Sequence, residues 1–470
     1  MNYILAIDQG THASRALLFD ARGRSIARHL IPVPLQHPKP GRVEQDAALI
    51  LDSVRTAVRE VLAQVSPAQR RAVRCCGITT QRSTVLAWRP DGTALSPAIN
   101  WQDTRGARAV ERLAAHSETI RRLSGLPLSA HYGASKLHHL RCRYGDDQNL
   151  RTAPLASFLL NHLVDPEPFV IDHANAQRMQ LLDIDQLEWS QPLCDWFEVP
   201  VASLPACVPV TNNYGCLLEQ DIPVTAVSGD QNAAWFEAGA PPAGTALVNL
   251  GSGAFVLTAQ HESAAPAGLL SSIVYSNAAG RDYVIEGTVN GAGNALDWLH
   301  QQHGIETRTG QLDSWLEQIA APPVFLNTVG GLGSPWWQRQ LAPEFVNDTG
   351  QFSAGERAAG VAESILFLIQ YNLEQATGKQ PLQRLHVSGG LSGIDALCRK
   401  LADLTQCPVQ RCESSEASAR GIAWLAAGRP ADWQRSGAGQ QFEPHVDNAL
   451  QARYQLFIER LQQRIAQQHD

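Results

Sequence analysis

The sequence predicts an α/β protein built from two large, similar halves, and three observations carry that prediction. At 470 residues the chain exceeds what one ordinary core holds. Strand-like apolar runs and stretches of helical period occur in both halves. Finally, a short hairpin recurs. Residues 4–19 read as strand, Asp8-Gln9-Gly10-Thr11, strand, and residues 246–258 as strand, Asn249-Leu250-Gly251-Ser252-Gly253, strand.

Each element has its own warrant. "YILAID", "SRALLFD" and "SIARHLIPVPL" form a meander, with a turn at Asp20–Gly23 between the second and third runs. Asp46 to Val65 carries apolar residues at helical spacing and stops before Ser66-Pro67. "VRCCGITTQ" and "STVLAWRPDGTAL" read as a hairpin-like pair around Pro90-Asp91-Gly92. Helices are expected at Arg105–His116 and Lys136–Tyr144. The second strand series begins at "IPVTAVSGD" and continues through "GTALVNLGSGAFVLTA". Helices follow at Ala292–His303 and Gly355–Thr377, then "RLHVSGGLSG" as strand and turn. Ala449 to Gln467 closes the chain as an amphipathic helix.

Composition narrows the function classes. With 44% hydrophobic and 18% charged residues, the chain has the make-up of a soluble globular protein. A net charge of −7 without a basic run argues against nucleic acid or an anionic membrane as partner. No apolar run approaches the ~20 residues of a membrane span. The N-terminus enters a strand at once, which leaves no room for a signal peptide. The nine cysteines lack C-x-x-C spacing, so neither zinc nor a disulfide framework is expected.

Four features can carry chemistry. A glycine at a hairpin tip lets consecutive backbone N–H groups face one concavity, which suits phosphate oxygens, and Thr11 or Ser252 adds a hydroxyl. Asp8 beside the first tip can supply an oxygen to Mg²⁺. Taken alone, either tip reads first as an ordinary hairpin turn. In "AVSGDQNAAWF", Asp230 ends a strand and opens a helix, as a helix cap or as a general base. Arg82 in "TTQRST" and Trp101 in "NWQDTR" are a charge and an aromatic wall suited to a small polyhydroxylated ligand, or an edge charge and a core residue. Gly389-Gly390 allows close approach of a flat or phosphorylated ligand, or is a tight strand-to-helix turn. No G-x-x-x-x-G-K-[ST] occurs, and no G-x-G-x-x-G stands between a strand and a helix.

Nine segments, "DQGTHASR", "HPKPGRVEQD", "GITTQRST", "NWQDTR", "SGDQNAAWF", "NLGSGAF", "GLGSPWW", "VSGGLSG" and "SEASARGIAWLAAG", occur in one order along nearly the whole chain. In them the sequence resembles the FGGY carbohydrate kinases, and among these the glycerol kinases. The resemblance implies two ribonuclease-H-like domains of the actin-like ATPase superfamily flanking a deep cleft. Residues 1–237 would form the substrate and Mg²⁺ side, and 238–470 the ATP side with the terminal helix. It implies Asp8 as the metal residue, and Gly10, Thr11, Arg15, Gly251, Ser252 and Gly253 at the phosphates. Gly293, Asp297, Gly389 and Gly390 match the nucleotide pocket. Asp230 becomes the general base. Arg82, Ser83, Trp101, His131, Asp230, Gln231 and Phe255 match the substrate pocket. The implied cofactors are ATP and Mg²⁺, the partner a small polyol or sugar, the location cytoplasmic, and a homo-oligomer, dimer or tetramer, is a common family state.

The chain departs from the glycerol-kinase pattern in its recognition residues. Ser83 stands where those enzymes carry glutamate, so a charged acceptor of two hydroxyls is replaced by a short neutral one. His131, or by a one-residue slip Tyr132, falls at a pocket tyrosine. "LLEQD" replaces the glycine- and basic-rich loop linked to fructose-1,6-bisphosphate inhibition or phosphorylation control. Ser388 replaces an aspartate before the double glycine, and Ile394 an asparagine near adenine. The expectation is an active kinase with an altered polyol or sugar preference. A true glycerol kinase and a non-catalytic sugar- and nucleotide-binding sensor are the alternatives. An actin-like filament or chaperone ATPase has no use for Arg82, Trp101 and Asp230 around a small pocket.

Overall fold

The computed structural model describes residues 2–145, 150–338, 340–348, 350–378, 381–412, 416–433 and 439–468. Ser415, which opens the last of the nine segments, lies outside them.

The first strand, Tyr3–Gln9, is buried along its whole length because both of its faces are covered. Leu5 and Ile7 join a core with Ala57 and Val61 of the helix Ala47–Ala63. Ile4 and Ala6 point the other way, toward Ala419, Ile422 and Ala423 of the helix Ala417–Ala426. A strand with two covered faces reads as a continuous apolar run rather than an alternating one. The helix Ala47–Ala63 starts where Asp46 accepts hydrogen bonds from the Ala48 and Leu49 amides, a cap of about 1 kcal/mol.

Two seven-stranded sheets repeat one plan. In the first, Ser25–Pro32, Ala13–Asp20 and Tyr3–Gln9 run as an antiparallel meander, and Val73–Thr80 and Ile222–Gly229 extend it in parallel. In the second, Arg281–Val289, Ala254–Gln260 and Thr245–Leu250 form the meander, and Arg384–Ser388 and Val409–Arg411 the parallel extension. The 24-residue helix Ala354–Thr377 packs on this sheet and begins with a Ser353–Glu356 capping box. The recurring hairpin in the sequence is therefore the centre of a duplicated α/β architecture.

The halves are joined by close backbone contact. A Cβ on Gly421 would lie 1.7 Å from the Ala233 carbonyl oxygen, and one on Gly77 2.7 Å from that of Ile422. Glycine at both positions lets the helix Ala417–Ala426 settle against the first sheet and the short helix Asp230–Ala234.

Most expected elements stand within two residues of their predicted ends: Ala47–Ala63, Gly293–His303, Ala354–Thr377 and Asn448–Ala466. Two differ. The stretch 105–116 holds only Ala107–Glu111 and a 3-10 turn at Ala114–His116. The segments around residues 73–80 and 83–95 do not pair. Val73–Thr80 lies inside the main sheet, while Val85–Trp88 pairs with Arg151–Pro154 in a four-stranded sheet. The turn at Pro90–Gly92 is real but folds the second segment back on itself, bringing Trp88 to Ala94. Both faces of Val73–Thr80 are covered, so its neighbours in the sheet decide its pairing, not the nearest turn in sequence.

Candidate active site

The two hairpin tips occupy equivalent register positions. Asp8 stands opposite Arg15 in the first hairpin, and Asn249 opposite Phe255 in the second. In the first copy the cross-strand pair is ionic, with Arg15 Nη1 3.0 Å from Asp8 Oδ2. Asp8 is nearly sealed from solvent, and burial raises its pKa to about 6. Arg15 opposes that rise, while the negative charges of Asp230 and Glu416 add to it. Two further carboxylates thus act on Asp8 where the first sheet meets the helix Ala417–Ala426. At the tip the Gly10 amide donates to the Ala13 carbonyl at 2.9 Å. Thr11 Oγ1 accepts from Trp101 Nε1 at 2.9 Å, which ties a phosphate-loop candidate to a substrate-pocket candidate.

In the second copy the Gly251 amide donates to the Gly253 carbonyl at 2.9 Å, closing the loop. The helix Gly293–His303 starts against it, with the Gly293 amide 3.0 Å from the Gly251 carbonyl and the Asn294 amide 2.9 Å from that of Ser252. A Cβ at residue 293 would stand 3.0 Å from the Gly251 oxygen, so glycine lets helix and loop touch. Gly389 has φ +92°, and a Cβ there would lie 2.5 Å from the Leu250 carbonyl. Gly390 differs: nothing stands within 4 Å of where its Cβ would be. Asp297 is exposed one turn into its helix. A closed glycine loop at a helix start, beside an open glycine, fits a phosphorylated, flat ligand such as ATP. Asp8 offers the hard, anionic oxygen that Mg²⁺ takes.

The substrate-pocket candidates gather around Arg82. Its Nε lies 3.8 Å from Asp230 Oδ1, its Nη1 3.6 Å from Glu286 Oε2 and 3.1 Å from Asn232 Oδ1. Arg82, Gln231 and Phe255 line one cavity together with Glu286. Burial raises the pKa of Asp230, against the pull of the Arg82 charge and the Gln231 amide, which donates to Oδ1 at 2.7 Å. A carboxylate so placed has gained basicity, as a proton acceptor needs. Trp101 and His131 face each other with ring centroids 5.3 Å apart. Tyr132 is buried with Leu126 and Leu270, so His131 is the accessible one of the two. Ser83 is buried with φ +60°.

Three residues at this site carry no motif signal in the sequence. Glu286 accepts from Arg178 Nη2 at 2.6 Å and from Ser272 Oγ at 3.0 Å. Burial pushes the Glu286 pKa up, but Arg178 and Arg82 outweigh it and hold the group at about 2. Lys136, wholly buried, is the third. The one available signal was a charge inside an otherwise apolar strand, at Glu286 in "YVIEGTV".

Residues 3–236 match the model of the N-terminal domain of the FGGY family of carbohydrate kinases, and residues 246–428 that of its C-terminal domain. A glycerol kinase of Synechocystis sp. is 30% identical over 456 residues, covering 92% of each chain. The chain belongs to the FGGY family of carbohydrate kinases. A glycerol kinase of Aromatoleum aromaticum is 33% identical over 451 residues, 91% of this chain and 90% of that one. Among solved structures, a Plasmodium falciparum glycerol kinase with ADP superposes with TM-score 0.89 at 22% identity, covering 99% of this chain and 98% of that one. A Rhodospirillum rubrum xylulose kinase superposes at 0.87 and 21%, covering 100% and 99%. At these identities the superpositions speak for the two-domain FGGY fold alone.

Proposed function

We propose that this FGGY kinase transfers a phosphoryl group from ATP to a hydroxyl of a small polyol or sugar that is not strictly glycerol. The observation that carries the reading is the placement of Asp230, a half-buried carboxylate of raised basicity, beside the Arg82 guanidinium, which lines a cavity with Gln231 and Phe255. Arg82 and Gln231 bind substrate hydroxyls, and Trp101 and Phe255 cover its carbon face. Asp230 accepts the proton of the attacking hydroxyl at its carboxylate.

The tip residues Gly10, Thr11, Arg15 and Gly251–Gly253 would hold the phosphates, and Asp8 the Mg²⁺, directly or through water. Gly293, Asp297, Gly389 and Gly390 would border the nucleoside. When bound, MgATP supplies the transferable phosphoryl group and the charge that neutralises it. The chain's part is positioning and electrostatic stabilisation of the transferring group, which together account for most catalysis of this kind. We assign residues 1–237 to the substrate side and 238–470 to the nucleotide side, and place the enzyme in the cytoplasm, where ATP is supplied.

Ser83 is the reason for not naming glycerol. A neutral hydroxyl cannot accept two charge-assisted hydrogen bonds from vicinal hydroxyls, and specificity is sharp where buried polar groups must be paired. Coupled ADP release over glycerol, dihydroxyacetone, erythritol, pentitols and ketopentoses tests the reading. One acceptor other than glycerol giving the highest kcat/KM supports it. Glycerol ranking first returns the chain to glycerol kinase proper, and no stimulation by any acceptor favours a sensor.

A further inference from the structure

Three residues assigned to the substrate pocket share a feature that none of their side chains explains. The main-chain carbonyls of Ser83, Trp101 and His131 all accept a hydrogen bond from one atom, Lys136 Nζ, at 3.2, 3.2 and 2.7 Å. These carbonyls come from three separate segments. Ser83 lies between the strands Val73–Thr80 and Val85–Trp88, Trp101 follows the strand Ala98–Ile99, and His131 precedes the helix Ala134–Tyr144. The Lys136 amine is fully buried, that burial lowers its pKa to about 7, and no carboxylate lies within ion-pair distance of it among the described residues.

A buried, unpaired ammonium is costly, and an apolar side chain in its place would avoid that cost. What an ammonium alone offers is three donors diverging from one point at the end of a flexible stem. Here all three are used, each on the backbone of a different pocket residue. The Ser83 carbonyl also belongs to a residue held at φ +60°, a conformation a serine adopts only when its surroundings fix it.

We propose that Lys136 is the positioning residue of the acceptor pocket, fixing the backbones of Ser83, Trp101 and His131 relative to one another so that their side chains meet the acceptor in one geometry. It touches neither acceptor nor nucleotide and acts through these three carbonyls. The proposal rests on the acceptor pocket assigned above. It predicts an effect on acceptor binding that is separable from nucleotide binding, because the three carbonyls border the acceptor side.

The test compares the full-length enzyme with Lys136→Met, which keeps the stem and removes all three donors, and with Lys136→Gln, which keeps two. With the best acceptor found by the ADP-release screen, the Met variant should raise the acceptor KM about tenfold or more while kcat and the KM for ATP stay within about threefold. The Gln variant should fall between, and it serves in place of the Met variant if that one does not fold. Hydrogen exchange read by mass spectrometry supplies a readout independent of turnover. Exchange should rise in peptides spanning 81–85, 100–104 and 129–134 and stay unchanged in the second half of the chain.

An unchanged acceptor KM in a folded variant overturns the proposal. So does a uniform fall of kcat with a weaker KM for ATP, or exchange that rises throughout the chain. If the unsubstituted enzyme shows no acceptor-stimulated turnover, the functional reading has failed instead, and the exchange pattern alone then decides whether Lys136 holds these segments.

Discussion

Arg178 Nη2 of the first half lies 2.6 Å from Glu286 Oε2 of the second, and both side chains are sealed from solvent. This ion pair crosses between the two halves beside the cavity lined by Gln231 and Phe255, where Arg82 also reaches Glu286. It is the kind of contact that costs little as a pair and much when one partner is removed.

Arg178→Met should therefore destabilise the protein by about 3–5 kcal/mol in chemical denaturation, because it leaves the buried Glu286 only the longer contact to Arg82 as counter-charge. Arg178→Met/Glu286→Leu should recover a large part of that loss. The Glu286 pKa, held at about 2, also predicts an acid limb. A depressed carboxylate stabilises the fold above its unfolded pKa, and that contribution is lost as pH falls from about 4.5 through about 2. The double variant should show a shallower acid limb over the same window.

Asp8 has the opposite sign. Its pKa is raised to about 6, so the charged form is less favourable folded than unfolded, and stability falls as pH rises from about 3.8 through about 6. Without Mg²⁺, Asp8→Asn should melt no lower than the parent at pH 7. On the proposal that Asp8 holds Mg²⁺, it must be ionised to do so, and the Mg²⁺ concentration for half-maximal activity should climb as pH drops below about 6. Titrations of activity against Mg²⁺ at a series of pH values measure this, and Asp8→Asn should require far more Mg²⁺ at every pH.

Adjacent glycines should behave differently. Gly389→Ala forces a Cβ to 2.5 Å from the Leu250 carbonyl at φ +92° and should lower stability by about 1–3 kcal/mol or more. Gly390→Ala meets no protein atom within 4 Å, so it should fold normally and raise the KM for ATP. Thermal melts and ATP titrations of the two variants separate the roles.

Ser83 tests specificity directly. Ser83→Glu puts a carboxylate where the serine stands and should raise kcat/KM for glycerol, relative to the preferred acceptor, by about tenfold or more. Initial rates with both acceptors read the ratio. Preservation of the original ratio would remove Ser83 as a determinant.

The sequence disclosed what is local and periodic. The doubled hairpin, the capped helix after Asp46 and the strand-to-helix junction at Asp230 each follow from neighbouring residues. The ladder around Val73–Thr80 was misread as half of a hairpin because its partners, Tyr3–Gln9 and Ile222–Gly229, are distant in sequence. The same reason hid Glu286, Arg178 and Lys136. Each owes its role to groups tens of residues or more away, such as the 108 positions between Arg178 and Glu286, or to backbone carbonyls that leave no trace in side-chain identity. Trp101 and Thr11, 90 residues apart, were assigned through separate motifs, and their hydrogen bond joined them only in the fold.

The most direct measurement is ADP release by the parent enzyme and by Asp230→Asn, with ATP binding followed in both. The parent should be stimulated by one polyol or sugar. The variant should bind ATP as the parent does and lose about a hundred- to ten-thousand-fold in stimulated turnover. A variant that retains stimulated turnover, or a parent that binds ATP and responds to no acceptor, would contradict the assignment of Asp230 as the base of an acceptor kinase.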